Sequence, residues 1–583
     1  MSDANFYSDN ADLNFHMNNM VNWEAVFRTR SDMEDERDRW GSAEEAKEAY
    51  LGMLEDPVGE LAANRMAPRA VEIDELGCRL RENRVELPPG MVKNLQDLAD
   101  ADLMGFTLPV RYGGLGFPYT VYTAAVEIIS RADASLMNLF GLQGIADTIA
   151  LFADEEVRRQ YLPRFASGDI TGAMVLTEPD AGSDLLSIQT AAVPDEVTSR
   201  WRLRGTKRFI TNGCGDVLLV LARSEDPQTY RGGRGLSLFL VEKGARVQIR
   251  RVEHKLGIHG APTCELFLDD AEGVLIGRRG YGLTRYVAWL MDAARLSVAA
   301  QALGIAEAAV REATAYAGQR EQFGEPIRRF PAVADMLVNM QVDLEAVRSL
   351  LYAASEQMDL DFALGRQMES LPSDDPRKGD LVQERKRQAG ALDILTPMVK
   401  FYAAETAQRI TSDVVQVLGG NGYIVDYPAE RYYRDARITS IYEGTSQIQA
   451  STAVSRLLKG SLDSLLTQLA QRERPSGLLN ELAQEVDAAR EDMEHSLEFV
   501  RDKMRGREKD PAYRDLMARR LVEMAADVLI GYLFLGQAEH WDRKAAVAEK
   551  FIRDMRIRAK AHRAHVCAGR KLTLDHFNSI VGE

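Results

Sequence analysis

Residues 416–449 read QVLGGNGYIVDYPAERYYRDARITSIYEGTSQIQ. Gly419, Gly420 and Gly422 let the backbone approach a ligand that a Cβ would hold off. Aromatic side chains crowd residues 423–433, and Arg434 and Asp435 lie at helical spacing from the turn, a composition that suits a packed site better than a linker. Glu443 then stands before Gly444 and Thr445, and Thr445 is suited to cap a helix beginning at Ser446. Taken alone, IYEGTSQIQ is a surface carboxylate ahead of a capped helix, and GGNGY is a glycine turn between helices.

The flanking sequence is helical on both sides. YGLTRYVAWLMDAARLSVAAQALGIAEAAVREATAYAGQ (281–319) and RFPAVADMLVNMQVDLEAVRSLLYAASEQMDL (329–360) are long apolar-periodic stretches. Residues 360–390 are charged and carry prolines, which predicts an exposed insertion between two core helices. Further upstream the period changes to two. AMVLTE, SRWRLRGTKRFITN, DVLLVLARS, RGLSLFLVEK and CELFLDD read as short strands of a β domain with about eight of them. Before that, 42–168 is helical again, and 1–41 is polar and reads as an extension wrapped on the surface. After 460 the pattern stays amphipathic and helical, enough for a separate bundle whose apolar faces must be covered. The resulting division is 1–41, an N-terminal helical domain 42–168, a middle β domain 169–280, a C-terminal helical bundle 281–460 and an additional helical domain 461–583. The fold class is α+β, with helices and strands segregated along the chain.

Bulk properties narrow the function. The 583 residues carry a formal charge of −16, which argues against general nucleic-acid binding, since phosphate recognition needs concentrated Lys and Arg. Cys78, Cys214, Cys264 and Cys567 have no C-x-x-C spacing, so neither a zinc site nor a disulfide framework is expected, and no metal. The polar, acidic start lacks the pattern of a signal peptide. No apolar run of about 18 residues predicts a membrane span. The expected location is the cytoplasm.

Three further stretches carry chemistry. TEPDAGSD (177–184) comes after a strand and offers hydroxyls and bare amides to a polar cofactor edge. KRFITNG (207–213) puts Phe209 and Thr211 near a strand end, with Ile210 between them. REQFG (320–324) supplies Arg320, a fork of donors suited to a pyrophosphate. Each alone reads as an ordinary loop, strand or helix-end cation. Their order and spacing, with GGNGY and YEGTSQIQ, make residues 68–459 resemble the acyl-CoA dehydrogenase family. The extra helices after 460 resemble its larger members, such as the very-long-chain and methylthiopropionyl-CoA types.

That resemblance implies a specific enzyme. FAD would lie extended between the β domain and the C-terminal helices. Thr177 and Ser183 would meet flavin and substrate. Phe209, Ile210 and Thr211 would sit beside the isoalloxazine ring. Arg320 and Phe323 would reach the FAD of a neighbouring subunit, Gln416, Gly419 and Gly420 its adenosine and pyrophosphate, and Thr445 and Gln447 the cofactor. Ser183, Asp292, Arg295, Tyr442 and Gly444 would lie on the substrate side. Glu443 would remove the α-proton of an acyl-CoA thioester while flavin N5 takes the β-hydride, giving a trans-2-enoyl-CoA. The Glu443 N–H and a flavin ribose hydroxyl would polarise the thioester oxygen. Some relatives, the isovaleryl and long-chain types, carry the base on the long helix just before a matching arginine; here Ala294 precedes Arg295, so the base is expected at Glu443. Arg295 also stands three residues from Asp292, the spacing of a helix ion pair. His259 is read as structural or CoA-adjacent. Phe330-Pro331 and Ala450 depart from the family pattern. The implied partners are an acyl-CoA, electron-transfer flavoprotein and a second copy in a homodimer. Alternatives in the same family are an acyl-CoA oxidase, a decarboxylating glutaryl-CoA type, and a flavin-binding relative that binds nucleic acid.

Overall fold

The computed structural model describes residues 4–31, 39–141, 143–230, 232–372, 375–472, 477–505 and 509–582. Seven strands form the middle domain: β1 (Gly172–Val175), β2 (Ala191–Asp195), β3 (Arg200–Thr211), β4 (Val217–Arg223), β5 (Leu236–Glu242), β6 (Val247–Val252) and β7 (Thr263–Leu275). The sequence predicts about eight. β1 runs parallel to β4, while β3 pairs antiparallel with β2 and with the long β7, which also pairs with β5 and β6. β5 returns to β4 in register from Val217↔Glu242 to Arg223↔Leu236, closing the sheet on itself. β4 shows why its sequence is apolar without alternation: both its faces are covered. Val217, Leu219 and Leu221 face one core with helical residues such as Leu162 and Phe165, and Leu218, Val220 and Ala222 face the barrel interior with Phe239 and Val241.

The helical framework consists of α1 (Tyr119–Ala132), α2 (Ala134–Phe140), α3 (Ala288–Gln319), α4 (Pro331–Ser370), α5 (Arg377–Leu418) and α6 (Ser446–Leu457). α3 is packed between α1, α4 and α5. Gly304 permits the crossing of α3 over α1, because a Cβ there would meet the Glu127 carbonyl oxygen at 2.4 Å. The tail is dominated by three long helices, α7 (Leu478–Lys503), α8 (Pro511–Ala538) and α9 (Asp542–Cys567), which pack on one another. The tail is docked on the body: α8 packs against α4, α5 and α6, and Gln537 Nε2 donates to Ser349 Oγ at 2.9 Å.

Three sequence expectations change. The described part of the N-terminal extension, 4–31, is not a surface wrap; Leu13 and Met17 are fully buried and Asp12 and His16 nearly so, while 1–3 and 32–38 lie outside the described residues. Its anchor is electrostatic. Arg348, with no exposed surface, donates to Asp12 at 2.6 Å and to Glu127 and Glu307 at 2.7 Å each. Lys544 from α9 joins the cluster on Asp12 and Glu345, and with Arg311 on Glu307 and Arg543 on Glu345 charges from five segments offset one another. Most of the stretch 360–390 extends α4 and α5, leaving 371–376 between them. α4 continues because Ala363 and Leu364 are buried and the Phe362 ring lies 5.8 Å from Tyr119 and 6.3 Å from Trp289. Finally, Gly282–Gln319 and Pro511–Ala538 are long and apolar enough to cross a membrane by composition alone. In the fold, 89% of each apolar stretch is buried, so their hydrophobicity is accounted for as core.

Candidate active site

Glu443 sits in a tight turn before α6. It has φ +52° and Gly444 has φ +88°, a left-handed pair that an L side chain occupies at a cost of about 1–2 kcal/mol. The surroundings hold it there. Gln449 Nε2 donates to the Glu443 carbonyl at 2.8 Å, and Lys400 Nζ donates to the Gly444 carbonyl at 2.6 Å. Thr445 caps α6, its Oγ1 accepting from the Ile448 N–H at 3.3 Å. Ser446 donates to Glu405 at 2.6 Å, and Glu405 meets Arg519 of the tail at 2.9 Å.

The carboxylate points into a cavity of about 60 Å³. Its wall includes Thr211 from the end of β3, Met174 from β1, Leu290, Ala294 and Ser297 from α3, and Asn138 from α2. Ala294, the alternative location for a base in this arrangement, therefore does lie in the cavity beside Glu443, as a methyl group. Glu443 Oε2 is shut from solvent and has no hydrogen-bond partner among the described residues. Burial pushes its pKa above the usual carboxylate range, and the charges of Lys400 and Arg295 hold it back. Burial likewise lowers the Lys400 amine to about 7. An unpartnered carboxylate of raised pKa is a proton acceptor waiting for a carbon acid.

The structure brings some of the other predicted residues to this cavity and leaves others outside it. Arg295 meets Asp292 at 2.7 Å, and Thr396 donates to the same Asp292 oxygen at 3.3 Å. The ion pair thus exists, and Arg295 also reaches the base electrostatically. Burial raises the Asp292 pKa, with Arg295 opposing. The Tyr442 hydroxyl lies 3.2 Å from Asn138 Oδ1 and donates to Gln301 Oε1. Ile210 turns its side chain into the barrel core, 2% exposed, because a bulge between Lys207 and Ile210, with Phe209 at φ +60°, shifts the alternation of β3; only its backbone can face a cofactor. Thr177 is partly exposed, and Ser183, Arg320, Gln416, Gly419, Gly420 and Gln447 are exposed, outside the cavity. His259 is held by Asp74 at 2.9 Å and by the Lys255 carbonyl at 3.0 Å.

The exposed residues fit a large, flat, partly apolar cofactor. Phe209 is half exposed at φ +60°, and Phe323 is 98% exposed. Cβ atoms added at Gly419 and Gly420 would meet nothing within 4 Å, so the backbone there is open to close approach. Several residues around the base escaped sequence reading. Lys400 left one faint signal, a single cation in the apolar run TPMVKFYAA. Asn138, Gln301, Tyr119, Tyr122 and Asp147 left none, since along the chain they are ordinary helix residues.

The comparisons with known proteins cover nearly the whole chain. Family models match the N-terminal domain of acyl-CoA dehydrogenases at 49–169, the middle domain at 173–271, the C-terminal domain at 282–370 and 381–458, and a further acyl-CoA dehydrogenase C-terminal region at 459–569. An acyl-CoA dehydrogenase of Bacillus subtilis is 34% identical over 416 residues, 70% of this chain and 98% of that protein. The solved acyl-CoA dehydrogenase of Bacillus anthracis complexed with FAD aligns with a TM-score of 0.70 at 25% identity, over 84% of this chain and 86% of that one. A chain solved in work on the electron transferring flavoprotein of Acidaminococcus fermentans and flavin-based electron bifurcation aligns with a TM-score of 0.59 at 34% identity, over 70% of this chain and 98% of that one. With its three family domains in order and helices added after them, this chain belongs to the acyl-CoA dehydrogenase family, oxidoreductases acting on CH–CH bonds.

Proposed function

We propose that the protein converts a saturated acyl-CoA to its trans-2-enoyl-CoA with Glu443 as the base. The observation that carries this reading is the buried, unpartnered Glu443 Oε2 in a cavity shared with Thr211. Glu443 takes the α-proton as the Cα–H bond breaks. Its backbone N–H has no acceptor among the described residues and is the donor offered to the thioester oxygen as enolate character develops. The cofactor is FAD, which when bound supplies the acceptor for the β-hydrogen and its electron pair. Phe209, Thr211, Thr445 and Gln447 position it, with Thr177 and Ser183 on the adjoining loop. Arg295, paired with Asp292, holds down the pKa of the base while leaving it proton-hungry.

Electron-transfer flavoprotein is the proposed acceptor, a reading supported by the likeness to the Acidaminococcus fermentans structure. A homodimer is proposed because Phe323, Tyr423 and Val425 expose apolar surface next to Arg320 and Gly419–Gly420, as a shared FAD site would require. Anaerobic mixing with an acyl-CoA should bleach the bound flavin. Glu443→Gln, nearly isosteric, should keep flavin and thioester binding and lose about 10²–10⁴-fold in rate. Retained turnover would end the assignment of the base, and stoichiometric peroxide in air would favour an oxidase.

A further inference from the structure

The acyl cavity holds a polar group that the proton transfer does not use. Gln301 Nε2 donates to the Ala134 carbonyl at 2.9 Å, which fixes the orientation of that amide. The same nitrogen donates to Asn138 Oδ1 at 3.3 Å, and the Tyr442 hydroxyl lies 3.2 Å from that oxygen. The hydroxyl's single proton is committed to Gln301 Oε1, so it is Gln301 Nε2 that demands the Asn138 oxygen, and the amide Nδ2 is left over. Asn138 is 6% exposed, and Nδ2 has no partner among the described residues. A buried donor without an acceptor is costly, and a ligand that supplies one is favoured over a ligand that does not.

The rest of the lining says which acceptor. No Lys, Arg or His lines the cavity among the described residues, whereas the carboxylates of Glu443 and Asp147 both do. Asp147 accepts from Tyr119 at 2.9 Å and from Thr107 at 2.8 Å. An anionic acyl terminus would meet repulsion and no counter-charge, so the acceptor is neutral. The enclosed part, about 60 Å³, holds roughly four water-sized groups, which suits acyl chains of about five heavy atoms as probes. We propose that Asn138 is a specificity-determining residue that selects an acyl-CoA carrying a neutral oxygen, hydroxyl or ether, beyond its β-carbon.

This rests on the dehydrogenase reading, and the test separates the two. Pentanoyl-CoA and its isosteres 4-hydroxybutyryl-CoA and 3-methoxypropionyl-CoA are compared by anaerobic flavin reduction on the FAD-loaded enzyme. If none of the three, nor butyryl-CoA, reduces the flavin, the dehydrogenase reading has failed. With pentanoyl-CoA active, an oxygen-bearing isostere should show kcat/KM about tenfold higher, one hydrogen bond's discrimination. Asn138→Leu should remove that preference, bringing the ratio of each isostere to pentanoyl-CoA down to about one or below. The proposal is overturned if wild type shows no preference for either isostere or if the preference survives in the variant. An equal loss on all three thioesters also overturns it, since Asn138 would then serve the common thioester. Should the variant not fold, the wild-type ratios decide.

Discussion

Lys400→Met is the most informative single change around the base. Lys400 is fully buried, donates to the Gly444 carbonyl, and restrains the Glu443 pKa electrostatically. The substitution removes the cation and keeps the stem. Both groups are buried, where a charge is screened far less than in water. The ammonium favours the carboxylate form, so its loss raises the Glu443 pKa. The acid limb of the kcat/KM profile should move to higher pH, with the two enzymes differing most below about 7, where Lys400 is charged. The Lys400 amine itself titrates at about 7. Wild type therefore loses the same charge as pH rises past that value, and the two enzymes should converge at alkaline pH. Global stability should change little, because the lost charge-assisted hydrogen bond, about 1.5–3 kcal/mol, is offset by relief from burying an ammonium. The assay is anaerobic stopped-flow flavin bleaching across pH, with thermal melts as the folding control. A folded variant whose acid limb stays put or moves down refutes the electrostatic role of Lys400.

Two further outcomes test the frame around the site. Gly444→Ala puts a Cβ 2.4 Å from Gln449 Nε2 at φ +88°; the turn should distort, with a stability loss of about 1–3 kcal/mol in denaturant melts and a larger fall in kcat than in cofactor occupancy. Arg348→Met leaves Glu127 without a cation and Asp12 and Glu307 with one each, Lys544 and Arg311, and should destabilise by about 3–5 kcal/mol near neutral pH. Unpaired buried carboxylates are tolerated once protonated, so the deficit should shrink as pH falls toward about 5, measured by urea midpoints; a pH-independent deficit would mean that lost packing dominates.

The local chemistry of the site was legible in the chain. The family, the order of helical and β domains and the turn bearing Glu443 are written in contiguous motifs, because a tight turn, a capped helix start and a close backbone approach each depend on a few adjacent residues. Ala294 could also be read as a vacant alternative for the base, since it needs only one position on one helix. The surroundings of the carboxylate had to come from the folded molecule. Lys400 and Asn138 reach the turn from helices far away in the chain, Asn138 from 304 positions before Tyr442, and helical periodicity carries no record of which side chains meet across such distances. The same reason explains the N-terminal segment. Its polar letters, Asn10, Asp12 and His16, suggested solvent, yet they are buried because Arg348 and Lys544, supplied by two other helices, neutralise Asp12 where the chain docks. Ile210, read as a cofactor contact by its place in a motif, faces the barrel core because the register of β3 against β7 sets which side of the strand each residue takes.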